Sequence, residues 1–178
     1  MNQDKLEKLS LSLFKQITSN EGHRGYIYSG VHHDEQSKKA VVTDGRFLFA
    51  TPLLYSDELK GLTISTYSYK PLDGKFPDYS KVVPDTSQYD YHFDSFELPK
   101  IKPAGNRPVY VYISDKGVIT FKKQTDTIVC CALNYLVLLL AFQNGGIEFK
   151  LHFHDNTKPI VFEIEGIENI FILMPVKM

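Results

Sequence analysis

His152 and His154 are the nearest thing in this sequence to a pair of metal ligands. They lie in Ile147–His154, where Ile147, Phe149, Leu151 and Phe153 alternate strictly with Glu148, Lys150, His152 and His154. Alternation puts residues two apart on one face of a strand, so the two imidazoles share a side. They could seed a metal site, but two ligands are not enough for one, and Asp155 next to them suits the following turn better. His32-His33 sits at a loop edge and is expected to be solvated. Gly22, Gly25 and Gly30 have neither Walker spacing nor the strand-to-helix turn of a phosphate loop. No Gly-x-Ser-x-Gly elbow appears, and no two carboxylates stand out as an acid/base couple. Cys130 and Cys131 are adjacent, so on a strand they point to opposite faces and a bond between them would be strained. They are read as reduced, which suits a cytosolic protein. The expectation is a non-enzyme with no cofactor and no metal, located in the cytoplasm.

The whole-chain balance agrees with an ordinary globular protein. Of 178 residues, 43% are hydrophobic and 23% charged, with a formal net charge of -1. That charge shows no basic surplus of the kind a dedicated nucleic-acid binder carries, although a local patch remains open. Eleven Tyr and twelve Phe favour strands. Met1–Leu6 is polar and no apolar h-region follows, so no signal peptide is expected. The longest apolar run, Tyr135–Phe142, is too short to span a bilayer.

Two helices and many short strands would position these residues. In Asp4–Thr18, Leu6, Leu9, Leu13 and Ile17 recur at helical spacing with Phe14 beside them, and Asn20-Glu21-Gly22 ends the run. Lys5, Lys8 and Lys15 lie on its other sides, most simply as a solvated face. Strands are expected over Tyr26–His32, Lys39–Thr43, Phe47–Leu54, Leu62–Tyr69 and Tyr89–Phe93, with a tight turn at Asp44-Gly45. Pro99 and Pro103 limit any helix in Phe96–Gly105. Val109–Ser114 and Val118–Lys123 form a hairpin around Asp115-Lys116-Gly117. Thr127–Leu133 then leads into a second helix over Asn134–Gln143, with Asn134 as its N-cap and Asn144-Gly145-Gly146 closing it. This helix is apolar nearly all round, so it is buried or lies in an interface. Strands Ile147–His154, Pro159–Glu165 and Asn169–Met174 complete the chain.

Between the halves runs Gly74-Lys-Phe-Pro-Asp-Tyr-Ser-Lys-Val-Val-Pro84. Pro77 and Pro84 fix their own φ and push Phe76 and Val83 toward extended geometry. The result is an extended strap whose Phe76, Tyr79, Val82 and Val83 must find burial, most simply at the seam between the halves. A plain proline-rich connector is the alternative.

Three stretches resemble one family in family order. The strap is similar to the one joining the second and third domains of the bacterial sliding clamp, the β subunit of DNA polymerase III. Val41-Val-Thr-Asp-Gly-Arg-Phe-Leu-Phe-Ala50 resembles the clamp's Thr-Asp-Gly-His-Arg-Leu-Ala turn, with Arg46 and Phe47 as departures and one extra residue before Ala50. Asn134-Tyr-Leu, Asp155 with Pro159-Ile-Val, and Ile172-Leu-Met-Pro-Val-Lys-Met178 resemble the closing half-domain. Together these matches cover about half of the chain.

The resemblance implies an α+β, DNA-clamp-like fold: antiparallel β-sheet with two helices packed on one side. The expected organisation is a single clamp-like domain of two halves, about 1–70 and 106–178, joined by an extended strap over 71–105. It implies a sliding-clamp-like protein of DNA replication or repair. Its partners would be polymerase or repair proteins that dock a short peptide, together with double-stranded DNA and further copies of the chain, and no membrane. Carried over by position, the peptide pocket would use Thr43, Gly45 and Leu48 of the turn, Pro77 and Val82 of the strap, and Ile172, Met174, Pro175 and Val176 of the tail. An equal reading makes Ile172 and Met174 core residues of the last strand. Lys5, Lys8 and Lys15 would be the DNA contacts.

The departures define a second reading. The family has three domains per protomer and closes two protomers around duplex DNA, whereas this chain is about half as long and lacks the first domain. A ring would need more copies or a partner. The second helix has no Lys or Arg between Asn134 and Gln143, so it would neutralise no phosphate in a DNA hole. The alternative is therefore a non-encircling peptide-binding or inhibitory module with a clamp fold, from a mobile element.

Overall fold

A computed structural model describes residues 3–18, 29–96, 98, 110–164 and 167–176. The chain divides into two compact units, residues 1–80 with 168–171, and residues 81–167 with 172–178. The boundary falls within the strap.

The first unit begins with helix α1, Gln3–Thr18. Asp4 in its first turn and Lys15 in its last complement the helix dipole. Its core face is Leu6, Ser10, Leu13, Phe14, Ile17 and Thr18, so Leu9 lies at the edge of that face. Strands β1 (Gly30–Asp34), β2 (Lys39–Thr43), β3 (Phe47–Thr51) and β4 (Thr63–Ser65) follow. They form an antiparallel sheet in the order β4-β1-β2-β3, and β3 is followed by β11, Ile167–Leu173, which contributes its residues 168–171 to this unit. Every residue of β3 is buried, and α1 packs on the face that Phe49 presents. Phe49 packs edge-on to Phe14 and flat against Phe171, with ring centroids 5.5 Å and 4.3 Å away.

Several sequence expectations are trimmed here. Pro52 ends β3 at Thr51 and starts a 3-10 turn, Pro52–Leu54, whose Leu53 N–H donates to Thr51 Oγ1 at 3.2 Å. The expected strand over Leu62–Tyr69 is only three residues long, because Ser65 Oγ accepts from the N–H groups of Tyr67 and Ser68 and turns the chain. The early part of the expected strand Tyr26–His32, the stop at Asn20-Glu21-Gly22 and the proline-bearing stretch 99–105 lie outside the described residues.

The second unit holds two sheets. Strands β5 (Tyr91–Phe96), β9 (Phe149–Phe153) and β10 (Ile160–Ile164) are antiparallel in the order β10-β9-β5. Strands β6 (Tyr110–Ser114), β7 (Ile119–Thr120) and β8 (Thr127–Ala132) form the other, in the order β7-β6-β8. Gly117, with φ +71°, makes the β6–β7 turn. Cys130 and Cys131 are free and buried on β8, and burial raises both thiol pKa values.

Helix α2, Leu133–Asn144, follows β8 without a linker. Its N-cap is Ala132, not Asn134, which falls inside the first turn. The cause is packing: Leu133 is buried, so helical geometry begins one residue early. Leu136, Leu139 and Phe142 are fully buried, and Gly145 and Gly146 close the C-terminus by donating to Ala141 O and Gln143 O. The pairings β1–β2, β1–β4, β2–β3, β5–β9, β9–β10, β6–β7 and β6–β8 are antiparallel, and two α-helices are present among the described residues, an α+β architecture.

Candidate functional site

The Thr-Asp-Gly turn joins β2 to β3 and is specified by its own side chains. Thr43 Oγ1 donates to Phe47 O at 2.8 Å and accepts from Gly45 N–H at 2.9 Å. Asp44 Oδ1 accepts from Arg46 N–H and Phe47 N–H at 2.8 and 2.9 Å. Gly45 takes φ +82°, a left-handed conformation that disfavours any side chain. Thr43 pairs in register with Leu48. Both are buried, whereas Gly45 at the tip is exposed.

The strap is only partly extended. Short 3-10 turns occupy Tyr79–Lys81 and Thr86–Gln88. Phe76 is buried flat on His32, with ring centroids 4.6 Å apart and planes at 6°. The Tyr79 hydroxyl meets Ser37 Oγ and Asp34 Oδ2. Thus Phe76 and Tyr79 are both satisfied within the first unit, and Val82 is 44% exposed against the expectation that it buries. Pro77 is exposed.

The expectation that His32 and His33 are solvated is overturned. Both belong to β1, and His33 is only 6% exposed. His33 Nδ1 accepts the Ser56 N–H at 3.2 Å, and His32 Nδ1 lies 3.1 Å from Thr63 Oγ1. Burial lowers both pKa values; Asp34 partly opposes the shift at His32, and His32 adds to it at His33.

At the tail, Ile172 is 2% exposed and belongs to the core, but Met174 has left β11 and is 38% exposed. Pro175 and Val176 are half-buried. The Val176 N–H donates to Cys130 O at 2.8 Å, which ties the tail to β8. The nine expected pocket residues therefore sort by unit and by access. Thr43, Gly45, Leu48 and Pro77 belong to the first unit; Val82, Ile172, Met174, Pro175 and Val176 belong to the second. Thr43, Leu48 and Ile172 are buried, Pro175 and Val176 are half-buried, and Gly45, Pro77, Val82 and Met174 are exposed.

Lys5, Lys8 and Lys15 are all exposed on α1. His152 is buried on β9 and His154 follows that strand, and among the described residues no group of three or more His, Cys, Asp or Glu is arranged to hold a metal ion. No helix among the described residues is long and apolar enough to cross a membrane.

This arrangement of strands and helices recurs in solved structures. All of this chain superposes on Caulobacter crescentus pol III beta, covering 65% of that chain with a TM-score of 0.64 at 16% sequence identity. The DnaN sliding clamp (DNA polymerase III subunit beta) from Bartonella birtlesii bound to griselimycin matches 99% of this chain, with 65% of the clamp covered, a TM-score of 0.64 and 18% identity. The DNA polymerase sliding clamp from Pseudomonas aeruginosa with ligand matches 97%, with 65% covered, a TM-score of 0.63 and 12% identity.

The fold is that of a bacterial sliding clamp.

The chain spans about 65% of the length of the clamps it matches. At these identities the likeness is one of fold. No protein-family model and no curated protein sequence matches the chain. His92 and Glu163, which meet His152 in the second unit, were not singled out from the sequence. The alternation of Tyr91 and Phe93 with His92 and Asp94 was the available signal, but strand-to-strand register was needed to bring His92 to His152.

Proposed function

We propose that this chain is a sliding-clamp-like protein of DNA replication or repair that binds partner proteins through a short peptide. The observation that carries the reading is the chain-wide clamp fold ending in an accessible Met174-Pro175-Val176 tail. Methionine and proline side chains half-open to solvent suit an adaptable apolar lining for a linear motif. The Bartonella birtlesii clamp, which holds griselimycin, supplies the analogy for ligand binding. On this reading the protein is a cytoplasmic non-enzyme that needs no cofactor, its partners are polymerase or repair proteins with clamp-binding peptides, and Lys5, Lys8 and Lys15 contact duplex DNA. Further copies of the chain are among its partners on this reading.

The test is a nitrogen-15 NMR titration of the full chain with an unlabelled clamp-binding peptide. Shifts concentrated at Met174, Val176 and Val82 are expected. Saturable shifts that spare all three would overturn the assignment of the site.

The charge-free α2 favours the second reading, a non-encircling peptide-binding or inhibitory module. With no Lys or Arg from Leu133 to Asn144, that helix has nothing to exchange for phosphate counterions. DNA affinity against salt separates the two readings. A steep fall supports DNA contact, and absence of binding at low salt supports the module.

A further inference from the structure

Two imidazoles meet across β5 and β9 in the second unit. His92 and His152 are direct register partners, and their Nδ1 atoms lie 2.9 Å apart. A carbonyl oxygen only accepts, so the 2.7 Å contact between His92 Nε2 and Tyr89 O places a proton on that nitrogen. A neutral His92 therefore offers a bare Nδ1, and the shared hydrogen bond requires the proton on His152 Nδ1. The other nitrogen of His152, Nε2, faces Glu163 Oε2 at 3.6 Å. One added proton can go there, making an imidazolium beside a carboxylate and leaving the Nδ1 contact intact. A second added proton must go to His92 Nδ1. Two N–H donors then oppose each other at a hydrogen-bond distance, and two like charges share one contact.

The position of this pair gives it leverage. β5 ends the β10-β9-β5 row, so β9 is its neighbour there. Regular register covers Tyr91↔Phe153, His92↔His152 and Phe93↔Leu151, then shifts before Phe96. The histidine pair is thus the middle of three regular rungs, between Tyr91 and Phe93, which both stack on Phe153. The groups around it come from each neighbouring strand. Asp90 and Asp94 lie on the β5 side, Lys150, His154 and Asp155 on the β9 side, and Glu163 on β10. Asp90 Oδ2 is 2.9 Å from His154 Nδ1, and Asp155 Oδ2 is 3.8 Å from His154 Nε2. Burial lowers the His152 pKa, Glu163 opposes that, and His92 and Lys150 reinforce it before Asp94 opposes it again.

We propose that the His92–His152 pair is a proton-operated clasp for strand β5, closed when the pair carries at most one charge and opened when it carries two. In the closed form the second proton would set two N–H donors against each other across the 2.9 Å Nδ1 contact, whereas in the open form each ring takes its proton without that clash. Protons therefore bind the open form better, and opening is favoured as pH falls through the histidine range. The clasp does not depend on the peptide reading of the tail.

The test is amide hydrogen exchange on the full chain at about pH 7.5 and about pH 5, either side of the histidine range, corrected for intrinsic exchange. Protection of Tyr91–Phe96 is expected to fall severalfold in acid, while β6 and β8 keep theirs. In His92→Phe the fall should vanish. His92 is exposed, so this variant keeps its fold. Asp90→Asn removes the neighbouring ion pair and should keep the fall. Equal β5 protection at both pH values in the wild type would overturn the clasp, as would an undiminished fall in His92→Phe.

Discussion

The Val176 N–H donates to the Cys130 carbonyl at 2.8 Å, so the segment that follows the last strand is tied to β8. That bond positions Met174 and Pro175, the residues on which the peptide reading rests. Val176→Pro removes the donor while keeping an apolar side chain. Loss of one such bond should lower stability by about 1 kcal/mol, read by urea denaturation. Peptide affinity should fall by a larger factor than Val176→Ala causes, because the tail loses its orientation.

The Thr43-Asp44-Gly45 turn makes a sharper stability prediction. Gly45 has φ +82°, and Thr43 Oγ1 accepts its N–H. A β-branched side chain in that conformation meets the neighbouring carbonyl. Gly45→Val should destabilise the protein by roughly 1–2 kcal/mol, whereas Gly45→Asn should cost less. Denaturation midpoints of the two variants check the ranking.

In the core of the first unit, Phe49 lies flat on Phe171 at 4.3 Å and edge-on to Phe14 at 5.5 Å. Phe49→Ala empties a fully buried site that two rings and helix α1 enclose. The expected loss is about 3–5 kcal/mol, measured by chemical unfolding. A cost similar to an exposed substitution such as Leu11→Ala would contradict this packing.

Stability should also fall in mild acid. Burial lowers the pKa of His32 and of His33 below 6.5 in the folded state. The unfolded chain then binds more protons below that value, so stability is fully present above pH 6.5 and is lost as pH falls through the lowered values. His33 has a geometric reason to resist protonation, because its Nδ1 already accepts the Ser56 N–H. Thermal melts across this range should show the loss, with a smaller slope in His33→Asn.

Much of the fold was legible wherever a local pattern decided it. Lys39–Thr43 has the strand bounds expected, since Asp44-Gly45 ends it by turn chemistry alone. Helix α2 followed from its apolar run and the Gly145-Gly146 stop. Histidines were not legible, because polarity next to a turn says nothing about a ring arriving from far along the chain. Phe76 covers His32, and the Ser56 N–H fixes His33. The tail was half legible: alternation could not separate buried Ile172 from exposed Met174, because the strand ends at Leu173. The resemblance to clamps carried the fold, but it gave no sign that Thr43, Leu48 and Ile172 are buried while Met174 is exposed.

The most direct test of the account is fluorescence polarisation with a labelled clamp-binding peptide, titrated with the wild type and with Met174→Asp. Met174 is 38% exposed, so the aspartate can be solvated and the fold retained. Saturable micromolar binding by the wild type, lost in Met174→Asp, is the predicted result. No binding by a folded wild type, or equal binding by the two proteins, would contradict the claim that this clamp fold recruits partners through its tail.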